Sequence, residues 1–156
     1  FLAVGTPPLP DGSADLSFLF DAAKTISEMH EGYQVVVTKS TVPVGTGAKV
    51  EELLAALHPK ESFAVASNPE FLREGCAVSD FMEPDRIVIG CDDPKGLDVL
   101  LRLYKPMREQ DAPILVTSRV TAELIKYASN AGGHDFTNAV TQNNIWLDAK
   151  MHPHFC

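Results

Sequence analysis

Apolar residues along this chain follow two alternating patterns. Short, nearly continuous apolar runs rich in Val and Ile predict buried β-strands, whereas apolar positions three and four residues apart predict amphipathic helices. The runs lie at 1–4, 34–38, 62–66, 86–90 and 113–116. Helical spacing occupies 16–26, 50–57, 97–104 and a segment that begins at 121. The sequence therefore predicts five strands that are mostly separated by helices.

Strands that are apolar throughout and joined by helices are typical of an α/β protein. Such a protein has a mostly parallel sheet that helices cover on both faces. Ligands bind beyond the carboxyl ends of its strands. This rule selects three segments as candidate ligand-binding loops, namely 5–7, 40–43 and 67–75.

The composition narrows the classes of partner. The chain has 156 residues, of which 45% are apolar and 22% charged, and these values suit one globular domain. Its formal net charge of -8 argues against nucleic acid and anionic membranes as partners. No apolar run is long enough to span a bilayer. Three cysteines without paired spacing are typical of a reducing compartment.

The segment after the second strand combines Thr41 with a pair of glycines. Gly45 and Gly47 let the backbone approach a ligand, and the following helix offers free N–H groups in its first turn. The pair lacks the third glycine of a dinucleotide-binding fingerprint. Local sequence alone therefore favours an ordinary strand-to-helix turn, with a ligand-binding loop as the alternative.

Two acidic residues follow the third strand. Glu70 and Glu74 are four residues apart, so on a helix they would share a face and repel each other slightly. A helix N-terminus would offset that repulsion. Either both side chains are solvated, or they form a pair of carboxylates beside a ligand, one of them able to act as a base.

Lys126 and Asn130 have the same four-residue spacing on the last predicted helix. A Lys and an Asn on one face can donate hydrogen bonds to a developing oxyanion. The alternative is that Lys126 makes an ordinary surface pair with Glu123, and local sequence favours that alternative.

Metal binding is not predicted. His152, His154 and Cys156 stand close together, but no second pair of ligands has the spacing of a zinc site. Cys76 and Cys91 are interpreted as small buried residues, not as nucleophiles.

Taken together and in order, the candidate segments closely resemble the UDP-glucose 6-dehydrogenases of the UDP-glucose/GDP-mannose dehydrogenase family. The matching stretches are VGTP at 4–7, STVPVGT at 40–46, SNPEFLREG at 67–75, PDRIVIG at 84–90 and AELIKYASNA at 122–131. The resemblance implies a Rossmann-like α/β fold and the NAD-dependent oxidation of UDP-glucose to UDP-glucuronate. Two hydrides leave in succession, through a thioester on a cysteine. GDP-mannose 6-dehydrogenase and a catalytically inactive nucleotide-binding remnant stay open as alternatives.

The resemblance also implies which residues face the cofactor. Gly5 and Thr6 would lie against NAD. Thr41 would stand near the nicotinamide and, together with Glu74, hold a water for proton transfer.

The substrate would meet a second group of residues. Glu70, Phe71 and Leu72 would line the UDP-glucose site, and Glu70 would also assist acid–base steps. Lys126 and Asn130 would contact the substrate and stabilise the oxyanion. In this context the functional interpretation of these polar groups replaces the local one.

The resemblance divides the chain into three parts. Residues 1–120 would form the later part of a NAD-binding Rossmann-like domain, residues 121–131 the start of a central helix through which relatives form homodimers, and 132–156 a divergent tail. The family's Gly-rich phosphate loop and its nucleophilic cysteine segment are absent from this sequence, and Cys156 does not stand in such a segment. We therefore expect an internal fragment of a cytoplasmic enzyme, linked by its family to polysaccharide synthesis and without turnover on its own.

Overall fold

The computed structural model describes residues 1–73 and 75–130, which contain one four-stranded sheet. Its strands are β1 (Gln34–Thr38), β2 (Phe63–Ser67), β3 (Ile87–Cys91) and β4 (Ile114–Thr117), in the spatial order β1-β2-β3-β4. The pairs β1–β2 and β3–β4 are parallel, whereas β2–β3 is antiparallel. The predicted α/β fold with a mostly parallel sheet is confirmed.

The first predicted strand, 1–4, is reduced to one bridge. Leu2 pairs in parallel with Thr38, donating to the Val37 carbonyl at 2.7 Å and accepting from Lys39 N–H at 2.9 Å. The ladder stops there because the Val4 N–H donates to the side chain of Ser40 at 2.8 Å instead of to a backbone carbonyl. Two prolines then follow, and neither can donate to a ladder.

The helices are α1 (Ser17–Glu28), α2 (Thr46–Ala55), α3 (Ala77–Met82), α4 (Pro94–Leu103) and α5 (Lys105–Arg108), with a 3₁₀ turn at Lys60–Ser62. Residues 119–130 are also helical, and we call this segment the C-terminal helix. The four predicted helical segments are therefore present. The sequence pattern missed α3 and α5, because helices of six and four residues are too short to show a period.

The predicted apolar face at 50–57 is partly wrong. Val50 and Leu54 are fully buried, but α2 ends at Ala55 and the side chain of Leu57 is 65% exposed. His58 precedes Pro59, and a residue before proline is sterically driven out of the helical region. The helix therefore ends before its apolar period does.

Helices cover both faces of the sheet, as predicted. Each face of the sheet has its own hydrophobic core, and neighbouring residues of a strand belong to different cores. Val36 and Val65 belong to the cluster under α1 and α2, whereas Val37 and Ala66 belong to the cluster under α4. A third cluster joins Val88 to the C-terminal helix. Of the two cysteines in the described part, Cys91 is buried as predicted, but Cys76 is exposed. None of the described helices is long and apolar enough to cross a membrane.

We expect the substitution Asp93→Ala to destabilise the fold by about 1 kcal/mol. Asp93 is the N-cap of α4, where its carboxylate accepts from Gly96 N–H at 2.6 Å and from the Tyr33 hydroxyl at 2.8 Å. Urea unfolding of the chain measures the loss. Asp98→Ala is the control, because Asp98 lies on the same helix and forms an exposed pair with Arg102. Equal losses in the two variants would contradict the capping role.

Candidate active site

Two loops leave neighbouring strands at the same edge of the sheet. Residues 39–45 follow β1 and residues 68–73 follow β2. The strands are parallel, and the first residue of the second loop stays on the ladder, since Asn68 N–H donates to the Thr38 carbonyl at 2.9 Å. The sheet therefore places the loops of Thr41 and Glu70 side by side at its carboxyl edge.

The structure brings together three of the four residues predicted to face the cofactor. The Thr6 hydroxyl donates to the Thr41 carbonyl at 2.9 Å, which ties the loop after Leu2 to the loop after β1. Gly5 lies beside Thr6, and a methyl group built on it meets no atom within 4 Å. Glu74, the fourth residue, lies outside the described residues.

Glu70 and Lys126 form the centre of the second group. The Lys126 ammonium donates to the Glu70 carbonyl oxygen at 2.6 Å and to its Oε1 at 3.2 Å. Glu70 Oε2 in turn accepts from Leu72 N–H at 2.7 Å. Lys126 is only 8% exposed, so the ion pair fixes the loop against the C-terminal helix.

Two alternatives that the local sequence left open are not found here. Residues 68–73 are not helical, so Glu70 does not lie on a helix that could align it with a side chain four residues on. The proposed surface pair of Lys126 with Glu123 is also absent. Glu123 is 2% exposed, and its carboxylate accepts from the N–H groups of Gly45 and Gly47, each at 2.7 Å.

Phe71 carries two cations against its ring. The guanidinium carbon of Arg86 lies 4.6 Å from the ring centroid and the Lys126 ammonium lies 5.3 Å from it. Such contacts contribute roughly 0.5–2 kcal/mol each. Arg86 Nε is buried and has no hydrogen-bond partner among the described residues.

These residues line one open cavity of about 350 Å³. It contains all five residues that were predicted to meet the substrate, namely Glu70, Phe71, Leu72, Lys126 and Asn130. Thr41 is not among its lining residues. The described site therefore consists of this cavity and, at the same edge of the sheet, the loop pair of Thr6 and Thr41.

Sequence reasoning missed a polar network in the floor of the cavity. Asn68 is 1% exposed; its amide donates to the Val88 carbonyl at 2.7 Å, and its side-chain oxygen accepts from the Tyr104 hydroxyl and, at 3.2 Å, from Lys39. Burial lowers the pKa of Lys39, partly offset by the charge of Glu70. Their position in the sequence could have pointed to these residues, because Lys39 and Asn68 are the first residues after two strands.

We expect Asp80, on the rim of the cavity, to remain mainly ionised at pH 3, where an ordinary Asp is mainly protonated. Hydrogen bonds from the Arg73 side chain, at 2.6 and 3.1 Å, lower the pKa of Asp80 to about 2. The contribution of the Arg73–Asp80 pair to the stability of the fold is therefore present at pH above the pKa of Asp80 in the unfolded chain. It is lost as the pH falls through about 2. Carbon-13 NMR of the carboxyl group measures this titration.

The substitution Arg73→Gln should return the pKa of Asp80 toward its ordinary value. Arg102→Gln, which breaks an exposed pair elsewhere, is the matched control and should leave Asp80 unchanged. Titration of the unsubstituted Asp80 near pH 4 would refute the assignment.

Known proteins place this geometry in a family. The sequence pattern of the NAD binding domain of the UDP-glucose/GDP-mannose dehydrogenase family matches residues 1–108. The chain belongs to the UDP-glucose/GDP-mannose dehydrogenase family. It is 52% identical over 134 residues to a UDP-glucose 6-dehydrogenase of Rhizobium meliloti, covering 84% of this chain and 31% of that protein. A UDP-glucose 6-dehydrogenase of Bacillus subtilis is 48% identical, with 84% and 28% covered.

Solved structures agree with this membership. A UDP-glucose dehydrogenase from Pyrobaculum islandicum superposes with a TM-score of 0.76 at 51% identity, covering 82% of this chain and 30% of that one. A GDP-mannose dehydrogenase from Pseudomonas aeruginosa gives 0.72 at 34% identity, covering 96% and 32%. This chain therefore spans about 30% of the length of these four relatives.

The residues at the sheet edge fit the NAD that the family's domain binds. Open space over Gly5 allows a flat group to approach the backbone. The hydrogen bond between Thr6 and Thr41 keeps two polar loops together beside that space. These loops would hold the cofactor, which supplies a hydride acceptor when it is bound.

Proposed function

We propose that this chain forms the NAD-facing and substrate-facing part of an enzyme that oxidises UDP-glucose to UDP-glucuronate. The observation that carries the proposal is the cavity in which Lys126 binds both the backbone and the side chain of Glu70. An almost buried ammonium group lies there beside the Glu70 carboxylate, and Asn130 lines the same cavity. Identities of 51–52% to UDP-glucose dehydrogenases, against 34% to the GDP-mannose enzyme, favour UDP-glucose as the substrate.

Each side chain would have its own task in this reaction. Lys126 and Asn130 would donate hydrogen bonds to the substrate oxygen as it gains negative charge, which stabilises the transition state electrostatically. Glu70 would exchange a proton with the reacting group, and Phe71 and Leu72 would exclude water from it. Thr41, with Glu74, would hold a water at the neighbouring loop.

The test uses a complete dehydrogenase. In a chimera, residues 1–130 of this chain replace the matching segment of the Rhizobium meliloti enzyme, and NADH formation is followed with UDP-glucose or GDP-mannose. We expect turnover with UDP-glucose and two NADH per substrate consumed. Preference for GDP-mannose, or no turnover by a folded chimera, would refute the proposal.

We further propose that the complete protein is a homodimer through the C-terminal helix. Val120, Leu124 and Tyr127 are 49%, 42% and 41% exposed, and their spacing forms one apolar stripe. Sedimentation of the chimera and of its Leu124→Glu variant tests this. A monomer before substitution would contradict it.

A further inference from the structure

No side chain at the N-cap position caps α2, the helix that follows Thr41. The N-cap position of α2 is Gly45, which has a φ of 92° and no side chain to accept a hydrogen bond. Most helices use a Ser, Thr, Asp or Asn at this position to satisfy their first N–H groups. Here the acceptor comes from a distant segment of the chain.

Glu123 supplies that acceptor. Its Oε2 accepts from Gly45 N–H and its Oε1 from Gly47 N–H, both at 2.7 Å, across 78 and 76 residues of sequence. A carboxylate at a helix N-terminus is also favoured by the helix dipole. Glu123 is 2% exposed, so water competes little for these hydrogen bonds.

Side chains of the C-terminal helix lie directly against Gly47. A methyl group built on Gly47 would come within 2.6 Å of Arg119 Cδ and 2.9 Å of Glu123 Oε1. Arg119 makes a second link between the same two helices, since its guanidinium donates to Glu51 Oε2 at 2.7 Å. The start of α2 is therefore held close against the C-terminal helix.

The same helix holds the other loop of the site. Lys126, one turn beyond Glu123, binds the Glu70 carbonyl at 2.6 Å. Between Thr41 and Gly45 lie the buried Val42, the rigid Pro43 and the exposed Val44. The Pro43 carbonyl accepts from the Thr46 N–H at 3.1 Å and from the Thr46 hydroxyl at 2.6 Å, so we expect a shift at the start of α2 to move Thr41.

We propose that Glu123 is a positioning residue that sets the place of Thr41 relative to Lys126. This inference rests on the proposed function for its kinetic consequence, because it takes Thr41 as a residue of the reaction site. Its structural part concerns only the described chain. Glu123 fixes one loop of the site and Lys126 the other, so one helix keeps the distance between them.

The structural part is tested on the chain itself by NMR. In Glu123→Gln, which keeps the side-chain shape, we expect the Gly45 and Gly47 amides to exchange with solvent at least tenfold faster. The resonances of Thr41 and Thr6 should shift as well. Glu51→Gln is the matched control, since it breaks the other link between these helices, and it should leave these signals in place. Unchanged Thr41 and Thr6 resonances in Glu123→Gln would overturn the proposal.

The kinetic part uses the chimera described above. We expect kcat to fall about tenfold in Glu123→Gln and further in Glu123→Ala, while KM for UDP-glucose changes less than threefold because Lys126 still holds the Glu70 loop. An equal loss of kcat in Glu51→Gln, or a rise in KM alone, would show that Glu123 is merely structural. An unsubstituted chimera without turnover would refute the proposed function, whereas the NMR result would still decide the role of Glu123.

Discussion

The substitution Gly90→Ala should destabilise the chain by about 3 kcal/mol, and Gly90→Val should prevent cooperative folding. Gly90 lies in β3 under the C-terminal helix. A methyl group built on it would come within 2.5 Å of Ala122 Cβ, 2.7 Å of the Ser118 carbonyl oxygen and 2.9 Å of Arg119 Cα. Two of these atoms belong to the backbone, so no side-chain rotation can relieve the overlap. The helix must move away from the sheet.

Urea unfolding monitored by circular dichroism measures this loss, with Gly5→Ala as the matched control. A methyl group on Gly5 meets no atom within 4 Å, and its φ is not in the left-handed region. The control should therefore lie within about 1 kcal/mol of the parent chain. A Gly90→Ala variant as stable as that control would show that the helix does not pack on β3 as described.

The strands could be predicted to within about one residue because their signal is local. Val35, Val36 and Val37 are adjacent in sequence, and their β-branched side chains favour an extended backbone whichever segments pack on them. The segment 1–4 is also a short apolar run, yet only Leu2 joins the sheet. Its ladder ends because Ser40, on the neighbouring segment, takes the next N–H. The composition of a segment does not show that a side chain from another segment will take its backbone hydrogen bond.

In the candidate site, too, local features could be predicted from the sequence and distant partners could not. The helical spacing of Lys126 and Asn130 predicted that they share a face, and both line the cavity. The partner of Lys126 could not be predicted, because Glu70 is 56 residues away and Glu123 only three. Local spacing favoured Glu123, whereas the fold gives that carboxylate to Gly45 and Gly47. Only the family resemblance, which reports a whole fold, named Glu70 and Lys126 for one site.

The second large effect is expected at Lys126. In the chimera, Lys126→Met should lower kcat with UDP-glucose by about 10²–10³-fold, the usual loss when one donor to a developing oxyanion is removed. KM should rise only severalfold, because Leu72 N–H still binds Glu70 and keeps part of the loop in place. NADH formation at saturating and limiting UDP-glucose separates the two constants. Activity within threefold of the parent would refute the oxyanion role.

The stability of Lys126→Met shows whether a loss of activity comes from the missing ammonium group or from unfolding. Methionine keeps most of the apolar stem of Lys126, and the Glu70 carboxyl side chain is 33% exposed, so the unpaired carboxylate remains hydrated. The free energy of unfolding should fall by about 2–3 kcal/mol, because the hydrogen bond from the ammonium to the Glu70 carbonyl is lost as well. Lys105→Met, at an exposed pair with Glu109, controls for loss of a lysine and should keep full activity. A large loss of kcat in a variant that still unfolds cooperatively is the result that assigns Lys126 to the reaction.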